Sequence, residues 1–208
     1  MVIMALDVET YKYDEKTKTY KPSLNTRDFV LGCIMISGRK NPIFFYNADE
    51  MFKYIFEFVK QKRTEGHNTF IYGHKHIYDL ASYGMNYMHR VDILKIFVQN
   101  PLFAKLQPKT KMQIKCKRCK DEYTYEGNET VINCPKCRER KLLPTGFLLD
   151  TRSFYKSKLE DVGRLLGFPK LEMPKEIENI HQLRNYVKRD VEITLNSILD
   201  FLLSVVWL

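Results

Sequence analysis

The chain has 208 residues, 44% hydrophobic and 28% charged, an ordinary globular composition with enough apolar material for one substantial core. Its 34 Lys and Arg against 25 Asp and Glu give a formal net charge of +9, which fits either a polyanionic partner such as nucleic acid or a lysine-rich solubilising surface. The most apolar stretch, ILDFLLSVVWL at 198–208, is too short to span a bilayer and carries Asp200, while Asp7 and Glu9 interrupt any signal-peptide core, so an intracellular protein without membrane contact is expected.

Three strand-like runs come first, at 2–6, 29–37 (FVLGCIMIS) and 42–46 (PIFFY). The turn-forming SGRKNP between the last two predicts a hairpin. The polar, lysine-rich segment 12–25 reads as a long connection or a flexible hairpin tip. Asn47 or Asp49 then caps a helix reaching about residue 60, with Met51, Phe52, Ile55, Phe56 and Val59 on one face. TFIYGH gives a fourth strand, and 80–97 reads as a second helix. Past Pro101 the texture turns basic and cysteine-bearing, over 105–142, before GFLLD (146–150) resumes the strand pattern. Ser157 and Glu160 have the spacing of a capping box, and Gly167 is placed to stop the helix they would start. A last helix begins near Ile180 with Leu183, Val187, Val191, Leu195, Ile198 and Leu202 at helical spacing.

This order predicts an α/β protein with a mixed sheet and helices on its faces. The first and fourth strands are expected as parallel neighbours in the centre, and acidic residues at their C-terminal ends would lie where such sheets bind ligands. Asp7 and Glu9 are two apart at such an end, so they project to one face. Two like charges that close need a cation or a shared proton, unless they are simply solvated. Asp79, just past the fourth strand, can join them or can complement a helix dipole. Asp190 lies beside the apolar stripe of the last helix with Tyr186 one turn earlier, the tyrosine serving either the site or the core.

These positions carry a resemblance to the DEDD superfamily of 3′–5′ exonucleases, in the tyrosine-bearing subgroup that includes proofreading domains of protein-primed family-B DNA polymerases. DVET at 7–10 resembles the first motif, D-x-E-T; GHKHIYD at 73–79 the second; YVKRD at 186–190 the third, Y-x-x-x-D. The histidine-bearing subgroup would need histidine where Asn185 stands. GFLLDTRSFYKSKLEDVGRLLGF is similar to the segment preceding the third motif in protein-primed polymerases. The resemblance covers most of the chain outside the cysteine insert. It implies a ribonuclease H-like fold, single-stranded DNA as substrate, and a DNA polymerase or replication protein as a further partner. Thr10 and Lys75 fall among the implied strand contacts. The family usually has asparagine at the position of Lys75, and a lysine there would grip a phosphate.

The mechanism this implies follows from charge. Asp7, Glu9, Asp79 and Asp190 can hold two divalent cations about 3.5–4 Å apart, one orienting a water and the other neutralising the leaving 3′ oxygen. Oxygen ligands favour Mg²⁺ or Mn²⁺. Tyr186, with an ordinary pKa near ~10, would orient water or phosphate rather than act as a base.

CKRC at 116–119 and CPKC at 134–137 are separated by fourteen residues. That spacing suits one structural Zn²⁺ held by Cys116, Cys119, Cys134 and Cys137 in a zinc ribbon, two disulfides being the alternative. The basic residues around the knuckles, with Lys117, Arg118 and Tyr123 foremost, suit phosphate contacts and base stacking, or else form a solvated face on a structural clip. The fifth cysteine, Cys33, reads as core. The expected function is a 3′–5′ exodeoxyribonuclease whose domain comprises 1–104 and 143–208, interrupted by the ribbon at 105–142. It is either free-standing or separated from a polymerase, since polymerase motifs are absent from these residues. The alternatives are a non-catalytic nucleic-acid-binding module and an RNase of the same fold.

Overall fold

The computed structural model describes residues 1–25, 28–75, 79, 82, 94–97 and 103–206. In chain order, β1 (Val2–Asp14), β2 (Thr19–Pro22), β3 (Phe29–Ile36) and β4 (Ile43–Phe45) precede α1 (Ala48–Thr64) and β5 (Thr69–Gly73). Next come β6 (Leu94–Phe97), β7 (Phe103–Leu106), β8 (Thr110–Lys115), β9 (Glu122–Gly127), β10 (Val131–Asn133), β11 (Arg140–Leu142) and β12 (Gly146–Asp150). The helices α2 (Leu159–Leu165) and α3 (Arg184–Val206) complete the chain.

Alternation along β1 sets the layers. Met4, Leu6 and Val8 turn to one face and pack with Met51, Phe52, Ile55, Phe58 and Val59 of α1. Ile3, Ala5 and Tyr11 turn to the other, against Leu183, Val187, Val191, Leu195 and Ile198, the predicted stripe of the last helix. Cys33 is in this second core, as expected. With side chains alternating, Asp7 and Glu9 share the face of Ile3 and Tyr11, the face that α3 covers.

Among the described residues the sheet has eight strands, ordered β4-β3-β1-β5-β12-β7-β6 with β2 paired to the far end of β1. β1, β5 and β12 run parallel, so the first and fourth predicted strands are indeed central neighbours. β3 pairs antiparallel with β1 and with β4, completing the expected hairpin. This is a mixed α/β sheet with flanking helices, the ribonuclease H-like arrangement that the sequence implied.

Several elements differ from expectation. The segment 12–25 continues β1 and returns as β2, with Lys12 opposite Lys21 and Tyr13 opposite Tyr20. Of the two expected readings the long connection does not hold and the hairpin does, with its tip at 15–18, because the tyrosines and threonines of its arms are good strand formers once paired. Of the helix expected at 80–97, most lies outside the described residues, and 94–97 is a strand paired with β7. β7 joins β12 in the main sheet, so the cysteine-bearing segment leaves the sheet only after Leu106. The Ser157–Glu160 capping box does not form: α2 is capped one residue later, at Lys158, without a side-chain hydrogen bond, which puts Glu160 at the wrong turn position. Gly167 does end α2, at φ +76°, with Phe168 N donating to Gly163 O and Gly167 N to Arg164 O, a Schellman stop.

The insert is built of two hairpins, β8–β9 and β10–β11. Arg63, near the end of α1 and 1% exposed, donates to Thr110 Oγ1 (3.0 Å), Asn128 O (3.3 Å) and Glu129 O (2.6 Å). A buried guanidinium satisfied by one hydroxyl and two carbonyls ties the insert to the helix.

Candidate functional site

Three of the four predicted carboxylates converge. Asp7 and Glu9 reach from β1 and Asp190 from α3, each offering an oxygen within 4.8 Å of the others'. Glu9 and Asp190 are buried. Asp79 is also buried, at 3% exposure, and is not in this closest group. Its carboxyl still feels their charge: burial, then Asp7 and Glu9, hold its pKa well above the usual range.

Such a group cannot carry its full negative charge without help. Burial first, and then the charge of Asp190, push Asp7 up to about 7. Glu9 is raised well above its ordinary value by burial and then by the charges of Asp7 and Asp190. A shared proton is one solution to the repulsion, and a cation is the other. Among the described residues Asp7 Oδ2 and Asp190 Oδ1 are buried with no hydrogen-bond partner. Orphaned carboxylate oxygens facing a cluster of their own sign fit a hard divalent cation with oxygen ligands.

One residue of this site was not foreseen. The Lys170 ammonium hydrogen-bonds Asp190 Oδ2 and lies 5.1 Å from the centre of the Tyr186 ring. It sits on the irregular chain after α2, where Pro169 O accepts from Arg189 at 3.3 Å. Burial lowers its pKa, but the charge and hydrogen bond of Asp190 together with Tyr186 outweigh this and leave it above the ordinary value. A single lysine following G-F-P offers no spacing signal, so only tertiary packing reveals it. Tyr186 is buried at 5% exposure, and its pKa is raised by burial and then by Asp190, so the hydroxyl stays protonated as a donor.

The remaining predicted contacts divide. Thr10 is buried and donates to Ser23 O at 2.6 Å, anchoring the return strand β2. That strand lies along the β5 edge of β1: Thr10 O accepts from Ser23 N, while Tyr11 N turns to Asp28 O on the opposite edge. β2 therefore stands beyond the end of β5, beside the carboxylates. Lys75 is exposed at that same end, its backbone N donating to Asp150 Oδ1 at 3.2 Å.

Lys75 has φ 59°, a left-handed backbone that strains lysine and suits asparagine. Lys75→Asn is thus expected to stabilise the fold by up to about 1 kcal/mol. The same change should weaken single-strand binding and make the log–log salt slope shallower by about 0.7. Thermal melts and salt titrations measure the two effects, and an unchanged slope would take Lys75 out of the binding surface.

The cysteines form a second centre. Cys116 and Cys137 Sγ lie 3.5 Å apart, Cys119 and Cys134 Sγ 3.6 Å, and all four sulfurs are within 4.8 Å. A tetrahedron with ~2.3 Å zinc–sulfur bonds has edges of about 3.8 Å, whereas a disulfide needs ~2.05 Å. The two knuckles share one backbone pattern: Lys120 N donates to Cys116 O and Arg138 N to Cys134 O. Lys120 and Arg138 both adopt positive φ, 61° and 56°. Backbone N–H groups, that of Cys137 first, bring the Cys134 thiol down to about 7, whereas Cys116 and Cys119 are raised, so the metal-free cluster keeps protons that a metal would displace. Lys117 and Arg118 are exposed and Tyr123 half-buried around this centre.

Fold and site define a class: a ribonuclease H-like α/β protein with a buried acidic group that could hold metal at the ends of its central strands, and a separate four-cysteine centre in an insert. No protein-family model matches the sequence, and a search of curated proteins gives no match. Among solved structures the chain is similar to Phi29 DNA polymerase complexed with single-stranded DNA, at 12% identity and TM-score 0.47, over 92% of this chain and 30% of that one. Phi29 DNA polymerase complexed with primer-template DNA and incoming nucleotide substrates gives 14% identity and TM-score 0.44, over 93% and 29%. The chain thus spans under a third of the polymerase chains it matches. Among the described residues no helix is long and apolar enough to cross a membrane.

Proposed function

We propose that the protein is a metal-dependent 3′–5′ exonuclease that hydrolyses single-stranded DNA ends, with a zinc ribbon inserted into its sheet domain. The observation that carries this reading is the meeting of Asp7, Glu9 and Asp190 from two elements, with Asp7 Oδ2 and Asp190 Oδ1 left without hydrogen-bond partners among the described residues. Asp7, Glu9, Asp79 and Asp190 would hold Mg²⁺ or Mn²⁺, and Cys116, Cys119, Cys134 and Cys137 one Zn²⁺. Divalent cations there supply charge to activate water and to neutralise a leaving 3′ oxygen.

The protein's own groups do the positioning. Lys170 fixes the Asp190 carboxylate and shields part of its charge. Tyr186, one helical turn before Asp190, keeps its proton and can donate to a non-bridging phosphate oxygen or hold the attacking water. Lys75, exposed where β5 ends, would take a phosphate of the entering strand, and Thr10 holds β2 against the same opening.

The test is end-labelled single-stranded DNA and RNA with Mg²⁺ or Mn²⁺. Stepwise mononucleotide release from the 3′ end of DNA is expected; release from the 5′ end, internal cuts, preference for RNA or no cleavage would each overturn the assignment. In the same assay Tyr186→Phe should lower turnover by about 10- to 100-fold while changing affinity little, because one oriented hydrogen bond is lost at the reacting phosphate and no ligand is removed. Equal losses in affinity and turnover would make Tyr186 a binding or packing residue.

A further inference from the structure

The basic residues of the insert look equivalent in the sequence, but the fold sorts them. Lys115 is paired with Glu122 at 2.9 Å, Lys136 with Asp121 at 3.5 Å, and Lys109 with Glu126 at 3.2 Å. The two tyrosines of β9 also part company. Tyr125 spends its hydroxyl on Glu129, beside the turn that Arg63 holds. Tyr123 instead lines a niche of about 300 Å³ with Lys117, Arg140, Lys141 and Leu142, next to Cys116 and Cys134.

We propose that this niche is a nucleotide subsite, which takes one base of a single strand on the Tyr123 ring and its flanking phosphates on Lys117, Arg140 and Lys141. The proposal rests on the single-strand substrate read above and extends it to a second point of contact. The volume is at the small end of ligand pockets, suited to one planar group and not to a duplex. Its chemistry is that of sequence-tolerant strand binding, an aromatic face beside cations. Leu142, 73% exposed at the rim, gives the sugar or base edge an apolar contact.

The one carboxylate of the niche, Glu139, is already engaged: its Oε2 accepts from the backbone N of Arg118 at 2.8 Å. Arg118, Lys120 and Arg138, exposed on the knuckles, offset the charge that four thiolates retain around one Zn²⁺. The subsite also has a fixed place on the molecule, because Arg63 binds the β9–β10 turn to α1. A strand that spans both the carboxylates and the niche gains by linkage what neither contact gives alone.

The experiment is fluorescence anisotropy on the purified zinc-bearing protein, without chelator or added Mg²⁺, using labelled oligothymidylates of about 5 and about 25 nucleotides. Tyr123→Ala should weaken binding of the longer strand by about ten-fold, and Tyr123→Phe should retain it, since stacking needs the ring alone. Arg140→Ala and Lys141→Ala should each make the salt slope shallower by about 0.7. Lys136→Ala, at a paired cation that does not line the niche, should do neither. Zinc analysis at about one ion per chain certifies that each variant is folded at the knuckles.

Unchanged long-strand affinity in zinc-loaded Tyr123→Ala and Arg140→Ala overturns the subsite. So does a loss in Lys136→Ala as large as theirs, which would mean diffuse attraction. No hydrolysis is required, so a protein that binds through the niche but never cleaves fails the exonuclease reading and keeps this one.

Discussion

Asp7→Ala and Asp190→Ala are each expected to lower DNA hydrolysis by on the order of 10³-fold, a loss of about 4 kcal/mol in transition-state stabilisation. Each removes one oxygen of the closest acidic group, and the remaining carboxylates cannot shift to replace it, because β1 is packed on both faces and α3 is packed against the sheet and against α2. Neither should unfold the protein. Each removes a desolvated carboxyl from a cluster of its own sign, so a metal-free variant should melt at or above the wild-type temperature near neutral pH. Asp190→Ala also frees Lys170 from its partner and should show the smaller stability gain of the two. Single-strand affinity is expected to persist, since neither change removes an exposed cation. Turnover near wild type in either variant would remove the metal-site assignment; lost activity with an unfolded protein would place these residues in the fold instead.

The same cluster should make stability depend on pH in an unusual direction. Asp7 titrates at about 7 in the folded chain, far above its ordinary 3.8, and burial and neighbouring charge raise Glu9, Asp79 and Asp190 as well. Between those two values the folded protein holds a proton that the unfolded chain has released, so the stability gained at low pH falls as pH rises from about 4 to about 7 and is gone above. Without added divalent ions the melting temperature should therefore drop between about pH 5 and pH 8, each kcal/mol being worth about 2–4 °C in a chain of this size. Mg²⁺ or Mn²⁺ should restore it at the higher pH, where the carboxylates are charged and bind cations, and do little at the lower. Calorimetry across that range, with and without the ions and with zinc left in place, decides. A melting temperature that rises with pH in the metal-free protein, or that does not respond to divalent ions near pH 8, would mean that the carboxylates are not held together as described.

Much of this architecture could be read from local patterns. Periodicity set the α1 and α3 faces, Gly167 marked the end of α2, and the parity of residues 7 and 9 put both carboxylates on one face. Two C-x-x-C pairs announced a four-sulfur centre. Local reasoning left open what pairing decided: 12–25 is the hairpin and not the long connection, with Tyr13 packed on Tyr20 and Lys21 bonded to Asp14, and Ser157 lost its cap when the chain entered α2 a residue later.

Which residues carry charge, sulfur and helical or strand periodicity is legible along the chain, because those depend on neighbours a few positions away; the sequence carries no such record of which groups meet. Asp190 stands opposite Asp7 only because the stripe of α3 and the odd face of β1 share one core. Lys170 reaches Asp190 only because the irregular chain after α2 crosses α3, and Lys117, Arg140 and Lys141 gather around Tyr123 while Lys115 and Lys136 find carboxylates of their own. Those encounters join residues far apart in the chain, whose spacing carries no period, so tertiary packing alone decides them.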